Sequence, residues 1–302
     1  MSTVVRFPFR HRLITFLRDL DVKGVRNIAH RLPHLILPKP KGDMIIETLH
    51  GFKLIIDPVK DQGVENVVYY TGTYERGTMD LLSCLLKPGD CFVDVGANIG
   101  LMTVHAARIV GIGGHVYAFE PNIETHRLLQ QNIKLNDLRC VELSTKALGA
   151  ASSAGVLYDR WESSRGSASM VSDGKESTGL PVVISTLDIE IQAGQRVDLL
   201  KMDIEGYELE ALKGAQRLLS AKDAPMLIVE CSVDVDPRHP ELLFRKLRSI
   251  NKYRIFKALG GKERKSRLVE IVDEKMLPKH DNIIAITEAH LKHLPVWLFK
   301  SL

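Results

Sequence analysis

Four acidic residues stand at the ends of predicted β-strands, where side chains of an α/β sheet reach a ligand. They are Asp94, Glu120, Asp203 and Glu230, each closing or directly following a short apolar run. Because the carboxyl ends of parallel strands meet at one edge of a sheet, we expect these four carboxylates to lie close together. Solvation alone would scatter acids along helices, so this placement predicts a binding or catalytic site.

A glycine-containing turn follows the first of these strands. Gly96 lets backbone amides approach a ligand closely, and Gly100 lets the next helix begin tight against the strand. Glu120 follows Gly100 by 20 residues, a spacing that suits two hydrogen bonds to a ribose diol. A dinucleotide fingerprint would need glycines where Asn98 and Leu101 stand, which disfavours an oxidoreductase. S-adenosylmethionine has a ribose and a sulfonium but no phosphate, and we expect it as the cofactor.

Strands and helices must alternate to bring these residues together, and from about residue 73 they do. The sequence predicts five buried parallel strands near residues 91–95, 115–119, 140–143, 197–202 and 226–229. Runs at 253–257 and 282–287 can complete the sheet, and the Ser-, Gly- and Ala-rich stretch 151–180 predicts short antiparallel strands and loops. The pattern predicts an α/β fold with a doubly wound, mostly parallel sheet.

The first 42 residues differ from the rest in charge. They hold nine Lys and Arg against Asp19 and Asp21, a balance of +7, whereas the remainder carries 32 basic and 35 acidic residues. Four apolar residues at helical spacing predict a short amphipathic helix: Leu13, Phe16, Leu17 and Leu20. We expect this helix to pack on the body; contact with an anionic membrane is the alternative, and no nucleic-acid partner is expected.

Two β-rich runs around His50 and Gly51 predict a hairpin. We therefore divide the chain into a basic N-terminal extension of helix plus hairpin, residues 1–64, and a catalytic domain, residues 65–302. No apolar run reaches the ~18 residues that span a bilayer, and the first residues do not resemble a signal peptide. The four cysteines are scattered and predict reduced thiols. We expect a cytoplasmic protein, with peripheral contact to the inner membrane face as the alternative.

The motifs, taken in order, resemble those of class I S-adenosylmethionine-dependent methyltransferases. Residues 92–100 read FVDVGANIG and residues 117–122 read YAFEPN. Three further segments narrow the resemblance to the FkbM family: YTGTYE at 70–75, GSAS at 166–169 and LLKMDIEGYELE at 199–210. The resemblance covers about residues 65–290, and the glycine turn alone would be generic.

This resemblance implies a seven-stranded Rossmann-like sheet and O-methylation of a hydroxyl on a sugar, glycan or polyketide-like small molecule. By position, the methionine end of the cofactor would be lined by Asp94, Gly96, Asn98 and Gly100. Glu120 would hold the ribose with Asn122 close by, and Lys146 and Ala147 would flank the adenine. Glu75 would close the site from the N-terminal side.

An alkyl hydroxyl must lose its proton as it is methylated, so a base is expected in the site. Asp203 is our first choice and Glu205 our second, although Asp203 is also well suited to cap the helix that follows. Asp203, Glu205 and Glu230 could together bind Mg²⁺, but nothing in their spacing fixes an octahedral set, and a metal is not favoured. His239 and His280 lie in polar, Pro-containing segments and are expected in surface loops.

Two other classes of function remain open. One is methylation of a macromolecule, disfavoured because residues 203–206 read DIEG instead of the Asn/Asp-Pro-Pro-aromatic turn of amino-group methyltransferases. The other is a non-catalytic scaffold that binds the cofactor or associates with a membrane. The acidic strand ends argue against a protein without activity. The acceptor and the oligomeric state are not predicted by the sequence.

Overall fold

A computed structural model describes residues 4–19, 32–159, 168–172, 179–234 and 236–300. Its strands, in chain order, are β1 Val4–Val5, β2 Met44–Glu47, β3 Lys53–Ile56, β4 Cys91–Val95, β5 His115–Phe119, β6 Val141–Ser144, β7 Ala147–Leu148, β8 Ser153–Asp159, β9 Ala168–Ser169, β10 Leu180–Ser185, β11 Leu199–Met202, β12 Met226–Ser232, β13 Tyr253–Ala258, β14 Leu268–Glu270 and β15 His280–Thr287.

The α-helices are α1 Pro8–Asp19, α2 Val64–Thr71, α3 Arg76–Leu85, α4 Leu101–Val110, α5 Ile123–Leu135, α6 Leu187–Glu190, α7 Glu208–Lys213, α8 Gln216–Ser220, α9 His239–Ile250 and α10 Glu288–Leu291. Single 3₁₀ turns lie at Glu274–Met276 and Val296–Leu298.

The central sheet has the strand order β14-β13-β15-β12-β11-β4-β5-β6. The five strands from β12 to β6 are parallel, and β15 runs antiparallel to β12. A doubly wound, mostly parallel α/β sheet is therefore confirmed. The sheet has eight strands instead of the expected seven, because the short strand β14 adds to the edge of β13.

Strand β4 shows why the sheet is covered on both faces. All five of its residues are buried, and successive side chains point to opposite sides. Phe92 joins the core cluster that contains Val104 of α4, while Val93 joins the cluster that contains Leu212 of α7. This continuous apolar run is what a strand between two helical layers requires.

The predicted hairpin is present as β2 and β3, which pair antiparallel, and β1 adds to β2 in parallel. Ile46 and Leu54 are fully buried in the same core cluster as Val104. The side chain of Asn132, from α5, accepts a hydrogen bond from the backbone N–H of Ile55 at 2.6 Å. The hairpin thus packs directly on the core between the central sheet and its helices. The division of the chain at residue 64 stays a prediction.

Helix α1 forms where the sequence predicts a helix, but its buried face is a different one. His11, Ile14 and Thr15 are buried, whereas Leu13 and Phe16 of the predicted apolar face are 38% and 60% exposed. The face predicted from the apolar spacing is wrong because His11 can be buried with a hydrogen-bond partner. Its Nε2 lies 2.9 Å from the carbonyl oxygen of Tyr69. Leu20 lies outside the described residues.

A second sheet, of order β7-β10-β8-β9, flanks the central one and confirms short strands within the Ser-rich stretch. Residues 166 and 167 of the GSAS motif lie outside the described part of the chain. All four cysteines are free thiols, with Cys84 partly exposed and the other three buried. Among the described helices, none has the length and apolar character needed to cross a membrane.

Candidate active site

A cavity of about 390 Å³ opens at the carboxyl edge of β4, β5, β11 and β12. Nine of the eleven residues that the sequence singles out for binding or catalysis line it: Glu75, Asp94, Gly96, Asn98, Glu120, Lys146, Ala147, Asp203 and Glu205. Gly100 and Asn122 do not line the cavity. Gly100 allows α4 to begin close to α5, since a Cβ there would lie 2.5 Å from Leu129 Cδ1.

Glu120 follows β5 with both carboxylate oxygens held by backbone donors. The N–H of Asn98 donates to Oε2 and the N–H of Asn122 donates to Oε1, each at 2.9 Å. Burial raises the pKa of Glu120 to about 7, although these two donors oppose the shift. The side chain of Asn122 caps α5 by accepting from the N–H groups of Glu124 and Thr125, so Asn122 serves Glu120 through its backbone.

Gly96 brings the ends of β4 and β11 together. Its φ of +83° is a left-handed conformation, and a Cβ added there would lie 1.9 Å from the carbonyl oxygen of Asp203. The close approach expected at this position is therefore made by backbone of the same chain. Any side chain would push the Asp203 loop away from the β4 turn.

Asp94 is fully buried beneath this turn. Its Oδ2 accepts a hydrogen bond from the hydroxyl of Thr103 at 2.6 Å, while Oδ1 has no partner among the described residues. Complete burial raises the pKa of Asp94, against the opposing effects of Lys201 and Thr103. A buried acceptor without a partner, at the wall of the cavity, is suited to a donor group of a bound ligand.

Lys146 and Ala147 line the cavity between the end of β6 and the start of β7. The Lys146 ammonium group pairs with Glu190 Oε1 at 2.7 Å, which neutralises it and holds its aliphatic chain along the wall. Ala147 is buried. Both residues therefore line the cavity, and the charge of Lys146 is already paired.

Asp203, at the end of β11, is held by two lysines. Lys201 is almost completely buried, and its Nζ lies 2.9 Å from Asp203 Oδ2. Burial would raise the pKa of Asp203, but the ammonium groups of Lys201 and Lys262 outweigh it and hold that pKa well below its usual range. Burial would likewise lower the pKa of Lys201, and the carboxylates of Asp203, Asp94 and Glu75 raise it instead.

A second carboxyl group shares this end of the cavity. Glu230, at β12, is hydrogen-bonded to Asp203, and the negative charge of Asp203 together with burial raises the pKa of Glu230. Lys262 Nζ lies 2.9 Å from both Glu230 Oε1 and Glu75 Oε1. Asp203 and Glu230 titrate as a coupled pair, in which the lowered pKa of Asp203 and the raised pKa of Glu230 favour a proton on Glu230.

Glu75 and Glu205 complete this end. Glu75 is 1% exposed and also accepts a hydrogen bond from the hydroxyl of Thr78 at 3.1 Å. Glu205 adopts a left-handed φ of +55°, and its carbonyl accepts from Ser169 Oγ at 2.7 Å. Carboxylate oxygens of Asp203, Glu205 and Glu230 lie within 4.8 Å of one another, a set that could hold a cation. Lysine ammonium groups already pair with two of the three.

Two lysines of this region were not singled out from the sequence. Lys201 carried a signal, a charge inside the apolar run of a buried strand, while Lys262 comes from a loop far along the chain that gave none. The placement of His239 in a surface loop was wrong: it is 3% exposed at the start of α9, with Nε2 3.1 Å from Glu208 Oε2. His280 is exposed as expected, but it begins strand β15 and does not lie in a loop.

A mostly parallel α/β sheet with acidic residues at the ends of its strands around one cavity is typical of the class of S-adenosylmethionine-dependent methyltransferases. A family model described as the methyltransferase FkbM domain matches residues 94–251, just over half of the chain. The chain belongs to the FkbM methyltransferase family, whose methyl donor is S-adenosylmethionine. The resemblance noted from the motifs is confirmed.

Relatives of known name are also methyltransferases. The chain is 33% identical over 170 residues to the hexuronic acid methyltransferase AglP of Haloferax volcanii, a match that covers 54% of this chain and 66% of that protein. It is 31% identical over 156 residues to methyltransferase sdnD of Sordaria araneosa, covering 40% of this chain and 59% of that protein. The matches thus span slightly less than two thirds of these relatives' lengths.

Solved structures with a similar fold include fibrillarin of Aeropyrum pernix with bound S-adenosylmethionine, at 16% identity and a TM-score of 0.42, covering 83% of this chain and 96% of that chain. An S-adenosylmethionine-dependent O-methyltransferase of Thermotoga maritima is 15% identical with a TM-score of 0.41, covering 83% of this chain and 94% of that one. Likeness at this level says nothing about the reaction or the acceptor.

Proposed function

We propose that this protein methylates a hydroxyl group of a sugar, glycan or polyketide-like small molecule, using S-adenosylmethionine and carboxylate assistance from Asp203. The observation that carries the proposal is the carboxyl pair of Asp203 and Glu230, held by two lysines in the same cavity as Glu120. One end of the cavity is suited to a nucleoside, and the other end is suited to accept a proton.

Residues at the first end fit the cofactor. Glu120 is pinned by two backbone N–H groups, which leaves lone pairs on both oxygens for a ribose diol. Asp94 offers a buried oxygen without a partner among the described residues, and the turn at Gly96 brings backbone close to the cavity. When bound, S-adenosylmethionine supplies an electrophilic methyl group on a sulfonium that leaves as a neutral thioether.

At the other end, Asp203 is placed to take the proton of the acceptor hydroxyl. A hydroxyl that is being methylated becomes an oxonium, which is a strong acid, so even a carboxylate of low pKa can accept its proton. Glu205 is the second candidate base. The ammonium groups of Lys201 and Lys262 keep Asp203 ionised before the reaction. A fixed carboxylate can also orient the acceptor hydroxyl toward the methyl group, and such positioning supplies much of the rate.

The charges that line the cavity come close to balance at neutral pH. Six carboxyl groups line it against three lysines: Glu75, Asp94, Glu120, Asp203, Glu205 and Glu230 against Lys146, Lys201 and Lys262. Because the pKa values of Glu230, Asp94 and Glu120 are all raised, the ionised carboxylates barely outnumber the three ammonium groups. A lining of this kind is compatible with an uncharged hydroxyl as the acceptor group. The name of the Haloferax relative, a hexuronic acid methyltransferase, supports a sugar as the acceptor class.

The test is transfer of label from methyl-tritiated S-adenosylmethionine to a panel of neutral sugars, hexuronic acids, glycolipids and polyketides. We expect label in a product that survives mild alkali, as a methyl ether does. Label released as methanol would show a methyl ester and would overturn hydroxyl methylation, and label found only on protein or RNA would overturn the small-molecule acceptor. Activity lost with EDTA and restored by Mg²⁺ would assign the three carboxylates to a metal instead.

A further inference from the structure

Helix α1 packs against the described part of the chain on one side only. Toward the body, His11, Ile14 and Thr15 are buried, and His11 is joined to Tyr69 of α2 by a hydrogen bond. The ring of Phe7 packs edge-on against both His11 and Tyr69. This contact fixes which side of the helix faces outward.

The outward side carries a stripe of large apolar residues. Phe9, Leu13 and Phe16 follow one another at intervals of four and three residues, the spacing of a single helical face, and are 78%, 38% and 60% exposed. Leu35, in the helical segment 32–36, is 79% exposed. That segment lies beside α1, since Arg10 Nη1 donates to the carbonyl oxygen of Ile36 at 2.7 Å.

The charges around this stripe are mainly basic. Within α1, Arg10 and Arg12 are exposed, and the only acidic residue of the helix is Asp19, its last. Lys39 and Lys41, shortly after the segment of Leu35, are also exposed. An apolar stripe flanked by basic residues complements a surface that is anionic outside and apolar beneath.

We propose that this face of α1, defined by Phe9, Leu13 and Phe16 with Arg10 and Arg12, seats the protein on an anionic lipid bilayer. The two phenylalanines enter the boundary between headgroups and acyl chains, while the arginines lie among the lipid phosphates. The packed face keeps α1 attached to the body, so the whole chain is carried to the surface. Binding of this kind requires neither cofactor nor acceptor, and its test is independent of the proposed methyl transfer.

The experiment is sedimentation of the full chain with vesicles of phosphatidylcholine, alone or with about a third phosphatidylglycerol. We expect the protein to pellet with the anionic vesicles at low salt and to be released at about 0.5 M NaCl, where exposed charges are screened. Phe9→Ser/Phe16→Ser should lower vesicle binding at least about tenfold. Because both side chains are exposed, the variant should melt as the wild type does.

A matched control is Ile112→Ser/Val272→Ser, which removes two side chains that are 90% and 70% exposed elsewhere on the molecule. This control should bind vesicles as the wild type does, and an equal loss in both variants would overturn the proposal. So would wild-type protein that stays in the supernatant with anionic vesicles at low salt. A lipid-free dimer that Phe9→Ser/Phe16→Ser converts to a monomer would instead make the stripe an interface between copies and contradict the lipid contact.

Discussion

The two ends of the cavity orient their carboxyl groups by different means. At the end proposed to bind the nucleoside, here called the nucleoside end, Glu120 is held by two uncharged backbone N–H groups, and burial raises its pKa to about 7. At the acceptor end, Asp203 is held by the charges of Lys201 and Lys262 and stays ionised. A carboxyl group in a backbone cradle is suited to binding, whereas one kept ionised by lysines is suited to taking a proton.

The largest loss of cofactor binding and stability is expected from a substitution at Gly96, where the turn after β4 contacts the backbone of Asp203. Gly96→Ala should abolish cofactor binding and lower stability, because its Cβ would lie 1.9 Å from the Asp203 carbonyl and its φ is +83°. Gly89→Ala is the matched control, since Gly89 has a φ of +88° but an added Cβ there would meet no described atom within 4 Å. Gly89→Ala should cost only about 1–2 kcal/mol, the usual penalty of a left-handed residue. Equal melting temperatures for the two variants would contradict the proposed contact between the strand ends.

The acceptor end is tested by neutralising each carboxyl of the pair in turn. Asp203→Asn removes the ionised member and should lower turnover at least about 100-fold while leaving the Kd for S-adenosylmethionine near normal. Glu230→Gln resembles the neutral form that Glu230 already adopts and should lower turnover only a few-fold. Turnover at saturating cofactor, with Kd measured in parallel, distinguishes them. A Glu230→Gln defect as large as that of Asp203→Asn would reverse the assignment of charge within the pair.

The nucleoside end gives a smaller, pH-dependent effect. Because the pKa of Glu120 is raised to about 7, the carboxyl is charged above that pH and protonated below it. Only the charged form accepts two ribose hydrogen bonds, so the Kd for S-adenosylmethionine should rise as pH falls below about 7, by up to about tenfold per pH unit. Glu120→Gln should bind weakly at every pH and lose this dependence. A wild-type Kd that stays constant between about pH 6 and about pH 8 would contradict the proposed role.

A residue of this site can be predicted from the sequence when the residues next to it in the chain mark its position. The strand ends were predictable, because β4, β5, β11 and β12 are short apolar runs and an acid after each must reach the same edge. The lysines were not recognised. Lys201 is a charge in a buried strand and therefore implied a partner, but Lys262 reaches Glu75 and Glu230 from a loop distant in sequence. No periodicity marks such a contact.

Helix α1 is a second example of a contact between distant residues that the sequence does not reveal. Apolar spacing selected Leu13 and Phe16 as the packed face, whereas the protein buries His11 and Thr15. A polar residue with a hydrogen-bond partner can be buried at little cost, and that partner, the backbone of Tyr69, is 58 residues away. The edge strand β14 was not predicted for another reason: its three residues are too few to show a hydrophobic pattern.

The central claim is that the turn of Gly96, with Glu120 opposite it, holds a nucleoside carrying a sulfonium and no phosphate. Calorimetric titration of the full chain tests this most directly, with S-adenosylmethionine, its demethylated product, NAD and ATP as separate ligands. We predict one molecule of S-adenosylmethionine or of its product bound per chain, and no heat with NAD or ATP. Tight binding of NAD, or folded protein that binds neither S-adenosylmethionine nor its product, would contradict the account.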